Sequence, residues 1–253
     1  VSDLRGSVDE HSAIGYEFDC DRAIPDVFYS AEQDELWSQV FGALTEMHEE
    51  FACEQYSLAA RRVALATDRV PQLGEVSRRL TSTTGFTLAP VTGLVPSRPY
   101  YAPFADNILQ VTQNLRPVSA QYYSPKPDVI HDLVGHAVTL ADADFASIYR
   151  WFGRAAQCAD SIAAMEVLSR LFWFSMETGV VMENGTPRAC GAAILSSVAE
   201  MQSFRHAELR GFCVEDMIAQ SIDDSDCQPV LFVAESVTHL LEEVKSFLGS
   251  VIC

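Results

Sequence analysis

The stretch Pro127-Asp128-Val129-Ile130-His131-Asp132-Leu133-Val134-Gly135-His136 places two histidines five residues apart inside an apolar, helix-like run. In a regular α-helix such positions differ by about 140° in direction. A metal shared by both side chains therefore requires the helix to widen locally into a π-bulge or to end, and Gly135 lowers the cost of either. Irregular backbone is expected at 132–136. The spacing also differs from the i, i+4 pair of HExxH zinc proteases.

A carboxylate joins the pair from further along. Glu177 lies forty-one residues beyond His136, inside Leu171-Phe172-Trp173-Phe174-Ser175-Met176-Glu177. A carboxylate within an aromatic run is costly to bury unless it is paired or holds a metal. Two histidines and one carboxylate leave three coordination positions open on non-haem Fe(II), so the residues point first to an iron oxygenase. They leave alternatives: hydrogen-bonded core histidines, a Glu177 paired with Arg170 or Arg205, or His206 as third ligand. Asp128, one turn before His131, is a candidate to orient its ring.

Composition bounds the rest. The 253 residues suffice for one large domain or two small ones, and 48% hydrophobic content supports a sizeable core. The net charge of −18 argues against nucleic acid or an anionic membrane as partner. Seven scattered cysteines without a C-x-x-C pair suggest reduced thiols and a cytoplasmic enzyme. No 18-residue apolar run is present, and the N-terminus does not read as a signal peptide.

Residues 1–30 read as a polar arm, and 31–253 as one mostly α domain with short strands and long loops. From Glu32, Leu36, Val40, Leu44, Met47 and Phe51 mark an amphipathic helix expected to run on to Ala66. Helical patterns follow at 72–82, 105–114, 127–140, 142–153, 160–178, 192–206 and 234–248, with Gly249 as a cap to the last. Pro90, Pro96, Pro99 and Pro103 mark loop and short-strand territory suited to gripping a ligand.

PDVIHDLVGHAV is similar to the iron motif P-D-x-x-H-E-L-L-G-H-x-P of the tetrahydropterin-dependent aromatic amino acid hydroxylases. VPQLGEVSRRLTSTTGF, APVTGLVPSRPY, LFWFSMETG, CGAAILSSVAE and CQPVLFVAES resemble further blocks of that family, in its order, over roughly residues 30 to 248. The resemblance implies a monomeric, single-domain bacterial form that binds Fe(II), a tetrahydropterin and O2 and hydroxylates an aromatic ring. It makes His131, His136 and Glu177 the iron ligands. It gives Arg116 the substrate carboxylate, a role suited to a guanidinium fork, and brings Ser124, Trp173, Ser196 and Asp224 to the amino acid. The pterin falls to Gly93, Leu94, Val95, Ser97, Tyr100 and Asp132. Tyr100 stands where a stacking Phe is usual, and Asp132 replaces a Glu. Single-domain bacterial relatives imply phenylalanine 4-hydroxylation. Gln110, Ser124 and Asp224 look more like tyrosine 3-hydroxylases, and a phenylalanine meta-hydroxylase is a further alternative. A zinc-dependent hydrolase on the same three residues, with Asp132 as base, is the alternative of another class.

Overall fold

The computed structural model describes residues 24–124, 126–222 and 226–252. Helices dominate. Ser30 opens α1 (Ala31–Phe51) with a capping box, its side chain accepting from Gln33 N while Gln33 reaches back to the Ser30 N–H. The helix buries Leu36, Val40 and Leu44 of the stripe read from the sequence, with Trp37 and His48 beside them, while Met47 and Phe51 are half-buried.

The expected run to Ala66 is broken. Ala52 is extended and bridges Ala189, Cys53 N donates to Ala189 O at 2.9 Å, and α2 (Glu54–Val63) starts afresh. Two helices on one core give the same apolar period as one. The break follows from a strand carbonyl that needs a donor, which no periodicity reports.

α3 (Leu73–Thr83) matches the expected helix. It is followed by α4 (Ser97–Tyr101), α5 (Ala143–Cys158), α6 (Ile162–Phe172), α7 (Ala192–Leu195), α8 (Val198–Ser203), α9 (Val214–Ala219) and α10 (Val237–Val251). The pattern at 192–206 divides at Ser197, whose Oγ caps α8 by accepting from Glu200 N. α10 passes through Gly249 instead of stopping there and is capped at Ile252.

β1 (Thr87–Val91) and β2 (Ile108–Thr112) form a parallel pair, so the helix expected at 105–114 is a strand. All five β2 residues are buried. A short run buried on both faces has no alternation to betray it, and Ile108, Val111 and Thr112 are β-branched. β3 (Val180–Glu183), β4 (Thr186–Ala189), β5 (Glu208–Gly211) and β6 (Val230–Ala234) make a second sheet in the order β4-β3-β6-β5.

An aromatic cluster fills the centre. Tyr149 of α5 lies 5.1 Å from Phe104 and 5.5 Å from Phe172 between ring centroids, and Phe152 stacks edge-on to Phe172 at 5.0 Å. Of the expected arm, residues 24–30 lie along the body: Gln72 exchanges two hydrogen bonds with the Val27 backbone, and Tyr29 OH donates to Gln113 O. The rest of the arm lies outside the described residues. Cys53, Cys190, Cys213 and Cys227 are free thiols, as expected, whereas Cys158 is disulfide-bonded. Among the described residues no helix is long and apolar enough to cross a membrane.

Candidate metal centre

The irregularity demanded by the histidine spacing is present. His131–Ala137 is a π-helical turn set within a helix over 129–139. The extra residue per turn carries His136 round to His131, leaving the two Nε2 atoms 3.0 Å apart and the rings perpendicular at 89°. Gly135 serves closeness more than backbone freedom. It has no positive φ, and a Cβ there would lie 2.6 Å from the Ala192 carbonyl oxygen of α7.

Glu177 closes a second π-helical turn, Trp173–Glu177, which continues α6. Its Oε1 lies 3.1 Å from His136 Nε2 and its Oε2 3.6 Å from His131 Nε2. Candidate ligand atoms of the three residues all fall within 4.8 Å of one another. The rival partners are engaged elsewhere: Arg170 with Glu166 and the Ile218 carbonyl, Arg205 over the Phe51 ring. His206 is exposed and outside the cluster.

The outer nitrogens show which face of each ring is available. His131 Nδ1 lies 3.0 Å from Ser196 Oγ, whose own proton goes to the Ala192 carbonyl at 2.7 Å. Ser196 is thus placed to accept from His131 Nδ1–H, the tautomer that keeps the Nε2 lone pair for a metal. His136 Nδ1 meets Tyr149 OH at 2.7 Å. Asp128, expected to orient the His131 ring, instead accepts from the His131 backbone N–H at 3.1 Å and pairs with Arg116.

Burial pushes His131 down to about 4, against the opposing pull of Glu177. Burial also works against a charged His136, yet the Glu177 and Asp132 carboxylates hold it above its ordinary value. For Glu177, burial favours the neutral acid, but His136 beside it keeps the group below the usual carboxylate range. Glu177 Oε2 is buried without a hydrogen-bond donor. An orphan carboxylate oxygen facing imidazole nitrogens is the arrangement a divalent cation would satisfy, and the donor set suits non-haem Fe(II).

Two cavities, about 530 and 250 Å³, meet at this cluster, and Leu94, Arg116, Ser124, His131 and Glu177 are among the residues that line both. Gly93, Leu94, Val95, Tyr100 and Asp132 line the larger one, so five of the six expected pterin residues come together. Ser97 does not join them. It begins α4, and the helix carries it to a separate depression beside Arg170. Asp132 Oδ2 accepts from Thr112 N at 2.7 Å, and burial raises its carboxyl to about 7.

Ser124, Trp173 and Ser196 line the smaller cavity with Arg116. Ser124 donates to the Lys126 carbonyl, and Trp173 Nε1 to Gln228 Oε1. Asp224 lies outside the described residues. Arg116 is buried and grips Asp128 through Nη2 (2.6 Å) and Nε (2.9 Å), while its buried Nη1 has no hydrogen-bond partner. Sequence reasoning missed Glu200, a buried wall residue of the smaller cavity that burial raises to about 7. Its only sequence signal is the Ser197-x-x-Glu200 spacing, which reads as a helix cap. Tyr149 carried no signal at all.

Comparison with known proteins adds independent support. Residues 3–252 match the family described as biopterin-dependent aromatic amino acid hydroxylase. The chain is 37% identical to a phenylalanine 3-hydroxylase of Streptomyces coeruleorubidus, over 94% of this chain and 85% of that protein. It is 34% identical to the tyrosine 3-monooxygenase of Bos taurus, over 94% of this chain but only 50% of that longer protein. The phenylalanine hydroxylase of Chromobacterium violaceum, solved with iron(III) and 7,8-dihydrobiopterin, superposes with a TM-score of 0.82 at 27% identity. That match covers 87% of this chain and 81% of the other.

Proposed function

Because the chain belongs to the biopterin-dependent aromatic amino acid hydroxylases, we propose that it hydroxylates the ring of L-phenylalanine with O2, using Fe(II) held by His131, His136 and Glu177. The observation that carries this reading is the convergence of those three residues, two of which, His131 and Glu177, line both cavities. Phenylalanine is favoured over tyrosine because the phenylalanine 3-hydroxylase matches at higher identity and over most of its length. Family membership also sets the zinc-hydrolase alternative aside.

When bound, iron and the reduced pterin would supply O2 activation and two electrons. The remaining tasks belong to the chain. Arg116, fixed by Asp128, has Nη1 to spare for the amino acid carboxylate. Trp173 walls the smaller cavity beside the ring. The backbone of Gly93–Val95, with Tyr100 and Asp132, lines the space suited to the pterin. His136 is fully buried, while the His131 side chain is 16% exposed, so the cluster opens on one side only, toward the cavities. Water is thereby kept from the other face. The same reading has residues 31–253 as the catalytic domain behind an arm, acting as a cytoplasmic monomer without nucleic-acid or membrane partners.

The test is an Fe(II)-reconstituted assay with a reduced pterin, O2 and phenylalanine, tyrosine or tryptophan in separate reactions. Hydroxyphenylalanine from the parent, lost in His131→Ala, His136→Ala and Glu177→Ala, is the expected result. The chromatographic position of the product distinguishes ring positions 3 and 4. Product from tyrosine alone would overturn the substrate, and full activity in any of the three variants would overturn the site.

A further inference from the structure

A third cavity, about 810 Å³, lies apart from the metal centre and, among the described residues, shares no lining residue with the two cavities there. It is built by α1, α2 and the β3–β4 hairpin, with Val138 from just beyond the π-turn. The buried Tyr56, Leu65 and Val138 give it an apolar inner wall. Its volume falls in the range of small-molecule sites, roughly 300–1,000 Å³. The charges around it are not balanced. Arg188 of β4 is partly buried, and its Nε is buried without a hydrogen-bond partner. Glu183 stands on the same face of the hairpin, since Glu183 pairs with Thr186 and Val181 with Arg188. Yet Glu183 turns to α2, where both its oxygens accept from Glu54 N, at 3.0 and 3.3 Å. Carboxylates are plentiful in this chain, whose net charge is −18, so scarcity does not explain the missing partner. A guanidinium in the wall of a cavity with a donor left over is short of an anion. At the mouth, Glu49 and Glu54 are exposed and oppose a multiply charged one. A single carboxylate on an apolar body matches both the guanidinium and the inner wall.

Two wall residues reach through to the metal centre. Tyr56 OH donates to the Val134 carbonyl at 2.9 Å, inside the π-turn between the two histidines. His48 Nε2 lies 2.7 Å from Leu195 O, one residue before the Ser196 that meets His131. We propose that this cavity is an effector site for a small monocarboxylate with an apolar body, held by Arg188 and coupled to the metal centre through the Tyr56 and His48 walls. An occupant packed on either ring is one hydrogen bond from backbone that carries a metal-site residue. Linkage makes the coupling reciprocal: the carboxylate changes metal affinity by the factor by which the metal changes carboxylate affinity. The coupling rests on the metal reading above; the site does not.

The probe is 3-phenylpropionate, titrated by calorimetry into the protein with Co(II) present, with inorganic phosphate and 2-phenylethylamine as comparators. Arg188→Gln should weaken binding at least about tenfold, the loss of a charge-assisted contact. Ala60→Leu, which fills the cavity from α2, should abolish it, and Arg116→Lys, in the metal-site cavities, should retain it. Loss in Arg116→Lys with none in Arg188→Gln would place the acid beside the metal and overturn the proposal. Phosphate or the amine bound as tightly as the acid would overturn it too. Arg188→Gln should keep the parental Tm, because it removes a charge that no anion of the fold offsets; a Tm lower by several degrees would give Arg188 a structural role instead. Co(II) affinity, read against a competing chelator, should shift at least about fivefold at saturating acid in the parent and not in Arg188→Gln. Binding without that shift would overturn the effector role. A parent that binds the acid but no Co(II) would remove the metal reading and the coupling while leaving the carboxylate site standing.

Discussion

Gly135→Ala is the smallest change that tests how the two halves of the metal centre are held together. The added methyl would sit 2.6 Å from Ala192 O and 2.9 Å from Ala192 Cβ. The carbonyl would have to withdraw by about 0.8 Å to reach the 3.4 Å at which ordinary contact begins. It is backbone, so no rotamer change relieves the clash. α7 must move from the π-turn, and Ser196, which accepts from His131 and directly follows α7, moves with it. Overpacking of this kind costs about 1–3 kcal/mol. For a chain of this size that corresponds to a Tm lower by roughly 2–12 °C. Gly42 provides the opposite control, because it lies exposed within α1 and an added Cβ meets nothing within 4 Å. Gly42→Ala should therefore raise stability by about 0.5–1 kcal/mol. Thermal unfolding of both variants without metal, followed by Co(II) titration, gives the comparison. A Gly135→Ala protein with parental Tm and parental affinity would show that the close approach of π-turn to α7 does not constrain the site.

Other expectations follow from the same geometry. Arg116→Lys keeps a charge but loses the fork and the spare Nη1, so KM for phenylalanine should rise roughly 10–150-fold, the equivalent of about 1.5–3 kcal/mol; an unchanged KM in steady-state kinetics would remove Arg116 from substrate binding. Ser196→Ala leaves His131 Nδ1–H without its acceptor and should weaken Co(II) binding about 10–100-fold, and parental affinity would refute that role. Acid should destabilise the fold through His48, which burial holds down to about 4 while its Nε2 bonds the Leu195 carbonyl. A folded value below the unfolded one means the unfolded chain binds the proton first, so stability is full above about 6.5 and falls as pH drops toward 4, by about 2 kcal/mol at pH 5. Urea unfolding of the parent and His48→Gln at pH 7 and 5 should show a smaller pH dependence in the variant, and equal dependence would discount His48.

The sequence by itself determined the chemistry of the centre and even its backbone irregularity. Histidines five apart cannot converge from a regular helix, so a shared metal dictated a distorted turn, and His131–Ala137 is π-helical. Local apolar periods likewise located α3, α5, α6 with the π-turn that continues it, and α10 to within about five residues, and the start of α1, because an amphipathic helix writes its buried face into the chain. What only the tertiary structure decided were features whose cause lies in a distant segment. The break at Ala52 exists because Cys53 pairs with Ala189, and β2 is a strand because β1 lies beside it. Asp128 holds a backbone amide and Arg116 instead of a ring, and Ser197 divides the helical pattern at 192–206, between β4 and β5. Tyr149 and Ser196 reach the two histidines across 13 and 65 residues of chain. A hydrogen bond between positions so far apart leaves no period or spacing to read, since it depends on how helices pack and not on the order in which they are written.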